Sequence, residues 1–377
     1  MNARRMWAVA RKEGLHIIRD WRSLVMGIAI PILLLILFGY ALTLDVDEVP
    51  LVVWDQSGTQ ASRDFISHFE GSPYFSLRRA VQTYAEIERV IDTGEALVAL
   101  VIPVDFAMDV ESRRVARAQG IVDGSDSNTA TIVLGYLETI ARTYNQDLAI
   151  EQAARTSGRT VTVPLDLRPR VWFNADMESK NYIIPGLIAV IMMVIAAMLT
   201  SLTVAREWET GTMEQVISTP LKGPELIFGK LLPYFGIGML DVLVAVLMGE
   251  FLFEVPLRGN VALLFGMAAV FLAGALSLGM LISIVTRAQL LASQLAMVVT
   301  FLPAFLLSGF MYDISNMPTV IQAITHVVPA RYFVSLLKGI YLKGIGLELL
   351  MMEAVLLTVF GLVVLLAANL VFKKKMA

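Results

Sequence analysis

Arg206, Glu207, Glu209, Glu214, Lys222, Glu225 and Lys230 crowd together between two long apolar runs, in a chain that is only 17% charged. Carboxylates and cations at this density could hold a nucleotide or dock a partner. A nucleotide is excluded. Gly223-Pro-Glu-Leu-Ile-Phe-Gly229-Lys230 imitates a phosphate loop, but its spacing is one residue too long and Leu231 replaces the hydroxyl that would hold Mg²⁺. Pro224 also removes an N–H from a loop that works through its N–H groups. Thr212-Met-Glu-Gln215 has the form of a capping box, with Thr at the N-cap and Gln at N3. Pro220 biases Thr219 away from helix, so a short, bounded helix is expected over 213–218. The residues alone also allow an ordinary polar turn.

Other chemistry is sparse. There is no Cys, and the three His (His16, His68, His326) lie far apart, so no metal site is expected. No nucleophile–base pair stands out, and no catalytic residue or cofactor of this chain is expected. Asp123-Gly-Ser-Asp126-Ser-Asn128 lacks the full Ca²⁺-ligand pattern and reads as a strand-to-helix turn with Ser127 or Asn128 as N-cap. Asp241 is the one acid expected near mid-bilayer, at a cost of about 2.5–3.5 kcal/mol on insertion scales. Such a residue either serves function from a cavity or hydrogen-bonds a Ser, Thr or Asn of a neighbouring helix.

The elements that must position these groups are apolar. The chain has 377 residues, is 56% hydrophobic and carries a net charge of -3, which offers nothing to a nucleic acid. Runs over 23–44, 181–205, 231–253, 261–286, 290–312 and 349–372 are each long enough to cross a bilayer. The fold class expected is a polytopic α-helical membrane protein of six transmembrane helices with an inserted extracytoplasmic α/β domain. Residues 1–22 form a basic amphipathic helix for the membrane interface. Met6, Trp7, Ala10, Gly14, Ile17, Ile18 and Trp21 share its apolar face, with Arg4, Arg5, Arg11, Lys12, Arg19 and Arg22 elsewhere. Lys and Arg concentrate in 1–22, 206–230, Arg287 and the tail 373–377, which puts all four, and both termini, on the cytoplasmic side.

Residues 45–180 are acidic and polar. Strands are expected at 51–54, 74–81, 96–103 and 118–123, helices at 62–70, 84–93, 105–114 and 128–157, and an extended return at 161–173. Their alternation predicts a compact α/β domain. Residues 313–348 are apolar but broken by Pro318 and Pro329, which reads as short re-entrant helices shielded by protein.

Two blocks carry a family likeness. One is Arg206-Glu-Trp-Glu-Thr-Gly-Thr-Met-Glu-Gln215 with Pro220, Gly229-Lys230 and Pro233-Tyr234. The other is Leu307-Ser308-Gly309-Phe310-Met311 with Asn316-Met317-Pro318, Gln322, Thr325, Pro329-Ala330-Arg331-Tyr332-Phe333 and Lys343-Gly344. Together with the layout, they resemble ABC type-2 exporter permeases, in the drug-export group with a large periplasmic domain between the first two spans. Asp313 departs from the pattern, standing where relatives often carry proline. The resemblance implies a bacterial inner-membrane efflux subunit that pairs with a second permease, identical or related, and with two ATP-binding subunits that hold ATP and Mg²⁺. Coupling would use the N-terminal helix and Arg206, Glu207, Glu209, Gly211, Thr212, Glu214, Gln215 and Pro220. Of these, Glu207, Glu209 and Glu214 would face the ATPase. The outer motif would comprise Ser308, Gly309, Asn316, Pro318, Pro329 and Arg331. A periplasmic adaptor and an outer-membrane channel could join it, and membrane lipids surround it. The export route would run between two copies of spans one, two and five, where Met192, Met193, Met198 and Met297 offer either soft walls or ordinary packing. Two other readings stand beside this one: an ion-coupled secondary transporter using Asp241, and a membrane-anchored sensor or scaffold.

Overall fold

The computed structural model describes residues 2–42, 46–112, 114–157, 172–174 and 178–372, without the side chains of 21–23, 26 and 151–157. The basic tail and nearly all of the extended return expected at 161–173 lie outside the described residues. The elements in chain order are α1 (Ala3–Arg19), α2 (Trp21–Ala41), β1 (Val49–Asp55), α3 (Gln60–Glu70), β2 (Phe75–Ala80), α4 (Tyr84–Asp92), β3 (Val98–Ile102), α5 (Phe106–Glu111), β4 (Gln119–Val122), α6 (Ser127–Ser157), α7 (Ser179–Glu209), α8 (Thr212–Ser218), α9 (Gly223–Phe251), α10 (Val261–Thr286), α11 (Gln289–Leu307), α12 (Thr319–Thr325), α13 (Pro329–Lys338) and α14 (Met351–Val371). A π-helical turn, Gly339–Lys343, extends α13. The chain divides into two compact units, one of residues 1–43 and 170–377, the other of residues 44–169.

The first unit is helical. Five of its helices, α7, α9, α10, α11 and α14, are long and apolar enough to cross a membrane. The apolar part of α2 is Gly27–Ala41, and α12 with the extended α13 forms a pair bent by 85°. The chain is thus a multi-pass membrane protein. Its centre is α7, whose apolar stretch is 89% buried against 22% for α11 and α14. Small residues let α10 close on it. A Cβ at Gly279 would overlap Ala197 O and Thr200 Oγ1. Thr200 Oγ1 donates to Leu276 O at 2.8 Å, and Ser283 Oγ accepts from the amides of Val204 and Ala205 at 3.0 and 2.9 Å. Packing of this kind replaces the hydrophobic drive that lipid cannot supply.

The second unit holds a four-stranded sheet in the order β2-β1-β3-β4, parallel except for β4. Its central strands are buried on both faces, which explains their unbroken apolar runs. Leu51, Val53, Val98 and Leu100 face α3, α5 and α6, while Val52, Ala99 and Val101 pack towards α4. At the start of α6 the cap is Asp126, not Ser127 or Asn128. Its carboxylate accepts from Asn128 N at 3.0 Å and Thr129 Oγ1 at 2.6 Å. A carboxylate satisfies both donors at once, which a neutral side chain does less well.

Candidate functional site

The last turn of α7 is Arg206-Glu207-Trp208-Glu209, and its side chains reach α1, α9, the α10–α11 turn and α11. The Arg206 guanidinium lies 3.5 Å from Asp20 Oδ2 and 3.2 Å from His16 Nε2, at the end of α1. Its Nε donates to Gln289 Oε1 at 3.3 Å. Glu207 turns inward, and its Oε1 is 3.1 Å from Lys230 Nζ of α9 and 3.3 Å from Lys12 Nζ of α1. The Trp208 ring lies under the Arg287 guanidinium at 4.7 Å, in the turn between α10 and α11. Glu209 accepts from Gln289 N at 2.7 Å and Gln289 Nε2 at 2.5 Å. An acid at the first residue of α11 also suits that helix's dipole.

Lys230 is the buried centre of this junction, with a side chain only 1% exposed. Its second partner is Glu13 Oε2 at 3.1 Å, and Tyr234 donates its hydroxyl to Glu13 Oε1 at 3.1 Å. Ions this deep persist only when paired, and removing one member of such a pair costs about 3–5 kcal/mol. The approach of α1 depends on Gly229, where a Cβ would lie 2.7 Å from Val9 Cβ and 2.9 Å from Met6 O. Glu225 adds a clasp, accepting from Asn2 N at 2.6 Å and Lys222 N at 3.0 Å, while Arg5 donates to Pro220 O at 2.6 Å.

Several expectations are corrected here. Glu207, expected to face an ATPase, is 9% exposed and occupied by two lysines, because α1 folds over it. Thr212 is not an N-cap. Gly211 takes that place at φ +72°, a conformation open to glycine that reverses the chain after α7. Thr212 Oγ1 instead reaches Glu207 O at 3.4 Å and Thr210 Oγ1 at 3.0 Å. Glu209, Glu214, Gln215 and Pro220 are exposed, and Met213, 1% exposed, anchors α8 below them. The helix containing Lys230 starts at Gly223, earlier than the run over 231–253, because Pro224 suits its first turn and the Glu225 carboxylate returns to Lys222 N. The inward stripe of α1 is Val9, Ala10, Glu13 and Ile17, while Trp7 and Ile18 point outward at 63% and 68% exposure. Glu13 was the missed signal, a lone acid at helical spacing within an apolar stripe.

At the far end of α7 the outer motif forms its own lattice. Lys338 Nζ donates to Gly309 O at 2.8 Å and lies 3.4 Å from the Tyr182 ring centroid. The Tyr182 hydroxyl donates to Gly309 O and Phe310 O, both at 3.2 Å. Ser308 Oγ accepts from Phe310 N, and the Phe310 ring fills the space left by Gly186. Arg331 donates to Gln322 O and Thr325 Oγ1, joining α12 to α13, which Pro329 opens. Asn316 and Pro318 are exposed. Asp313 has φ -64°, a value proline also takes, and its carboxylate caps Ser315 N at 2.8 Å.

Asp241 is 3% exposed, and neither carboxylate oxygen has a hydrogen-bond partner among the described residues. The bond to a neighbouring Ser, Thr or Asn does not form. Nor do the four methionines share a wall. Met192 and Met193 are each 2% exposed, Met297 is 51% exposed, and Met198 alone of the four borders a cleft beside the junction.

The family model for "ABC-2 family transporter protein" matches residues 21–370. The chain is 41% identical over 342 residues to "Probable multidrug ABC transporter permease YbhS" of Escherichia coli strain K12, covering 90% of this chain and 89% of that one. It is 30% identical over 345 residues to "Probable multidrug ABC transporter permease YbhR" of the same strain, covering 92% of each. It is 27% identical over 331 residues to "Inner membrane transport permease YhhJ", covering 86% and 85%. On these grounds the chain belongs to the ABC-2 transporter family and is a membrane transport subunit, distinct from the ATPase.

Proposed function

We propose that this protein is the permease of an ABC exporter that moves small amphipathic compounds outward across the bacterial inner membrane. In this reading six spans cross the bilayer, both termini are cytoplasmic and residues 45–180 are periplasmic. Two permease chains, identical or related, pair, and two ATP-binding subunits dock against the exposed side of α8. ATP and Mg²⁺ belong to those subunits. A periplasmic adaptor and an outer-membrane channel could extend the route.

The observation that supports coupling through the 206–220 stretch is the fan of contacts from one turn of α7. Met213 seats α8 against that turn, and Arg206, Glu207, Trp208 and Glu209 lead from it to α1, α9, α10 and α11. A push on α8 reaches four elements at once. ATP binding shifts the bundle only as far as its contacts differ between two packings. Glu214 and Gln215 are the outward contacts, and Glu207 acts inside as a transmitter.

The test is co-purification with the ATP-binding subunit, followed by ATPase and transport assays. Glu214→Ala with Gln215→Ala should leave the membrane unit folded and lower coupled ATPase activity several-fold. Normal assembly and coupling in that variant would move the docking surface elsewhere.

A further inference from the structure

Beside the junction lies a cleft of ≈ 570 Å³ between α1, α2, α7 and α9. That volume lies within the range of small-molecule sites. Its lining on α7 runs from Ile195 to Thr210, which at 1.5 Å per residue is about 22 Å long. The inner wall is apolar, formed by Ile30 of α2, Ile195, Leu199 and Leu202 of α7, and Ile237 of α9. Gly27 lets α2 pack closely on this wall, since a Cβ there would lie 3.3 Å from Leu199.

The mouth is charged but balanced. Lys12, Arg206 and Lys230 stand against Glu13, Asp20 and Glu207. Lys230 is sealed, whereas the side chains of Lys12, Arg206 and Asp20 are 63%, 33% and 32% exposed. An incoming anion or cation would leave this set with an uncompensated charge. A head group carrying both signs can set its anion against Lys12 and Arg206 and its cation against Asp20, keeping the sum at zero. We propose that the cleft binds a zwitterionic amphiphile drawn from the leaflet beside the junction, as the cargo of this permease. The proposal deepens the export reading and rests on it for the side of the membrane from which loading occurs.

The test is photolabelling of the purified full-length chain in nanodiscs of phosphatidylethanolamine and phosphatidylglycerol. The probe is a lysophosphatidylcholine with a diazirine on its acyl chain. Comparators carry the same chain on a trimethylammonium or a phosphate head. The expected result is labelling of α7 between 195 and 202 and of α9 near Ile237, about fivefold stronger for the zwitterion, the scale of one exposed ion pair. Leu199→Trp should abolish that labelling, while Leu362→Trp on the exposed side of α14 should not. Lys12→Gln removes the exposed cation without setting a second acid beside Glu207, which keeps Lys230; it should erase the preference for the zwitterion over the trimethylammonium probe, and this holds the test open if Leu199→Trp fails to fold. Labelling confined to α14, labelling indifferent to the head group, or an unchanged preference in Lys12→Gln would each overturn the proposal. No ATPase subunit is present, so a negative result leaves the export reading intact. Loss of ATPase coupling with normal labelling would instead count against export alone.

Discussion

Lys230→Met removes the buried cation between Glu13 and Glu207 while keeping most of the side-chain volume. Glu207 retains Lys12 at 3.3 Å, but Glu13 keeps only the Tyr234 hydroxyl at 3.1 Å. A buried carboxylate left without its counter-ion costs about 3–5 kcal/mol, and the surviving contacts put this case near the lower end, at about 3 kcal/mol. Adding Glu13→Gln removes the stranded charge, so the double variant should recover to within about 1 kcal/mol of wild type, as neutralised buried pairs do. Stability would be read by denaturant unfolding in mixed micelles, and release of α1 by trypsin cleavage at Arg11. Two outcomes refute the reasoning: a loss in Lys230→Met below about 1 kcal/mol, or a double variant in which the losses add, since rescue requires coupling between the sites.

Gly229→Ala should destabilise the α1 contact by about 1–3 kcal/mol, the cost of overpacking, and expose α1 to trypsin. Gly236→Ala on the same helix, where a Cβ meets nothing within 4 Å, is its neutral control. Gly279→Ala should lower the thermal midpoint measurably, with Gly266→Ala as the matched control, again with open space at the Cβ. In the other unit, the Asp126 carboxyl is held below its usual range by the Thr129 hydroxyl and then by the Asn128 amide. Its contribution is full above the ordinary carboxylate value and fades as pH falls through the lowered one. Hydrogen-exchange protection of the first turn of α6 should therefore differ between wild type and Asp126→Ala at neutral pH and converge in acid; a constant difference down to low pH would contradict the assignment.

The sequence was most legible where one physical rule acts alone. The apolar run over 261–286 is α10 residue for residue, since the polar residues that bound it, Asn260 as N-cap and Arg287 at a left-handed C-cap, also end the helix. The apolar run 51–54 lies within β1, and the run over 96–103 encloses β3, because strands buried on both faces need continuous apolar residues. Legibility failed where distant partners decide. Glu207 looks like a surface acid until α1 folds over it, and nothing local announces Lys12 or Lys230 as its partners. Thr212 carries a sound capping pattern, but tertiary closure of the chain at Gly211 overrides it. Gly229-Lys230 imitates a nucleotide motif for unrelated reasons, the glycine for a close helix crossing and the lysine for an internal charge.

One pairing ties the two ends of the helical unit together. α7 grips the first residue of α11, Gln289, through Glu209 at the charged end, and at the other end Tyr182 holds the carbonyls of Gly309 and Phe310 in the turn just beyond α11. Two rods pinned at both ends behave as one strut. Sliding one past the other breaks the hydrogen bonds at both ends, each worth about 0.5–1.5 kcal/mol. A transport cycle that needs this pair to shear must therefore release its ends in sequence, and strengthening either pin should slow turnover without weakening assembly.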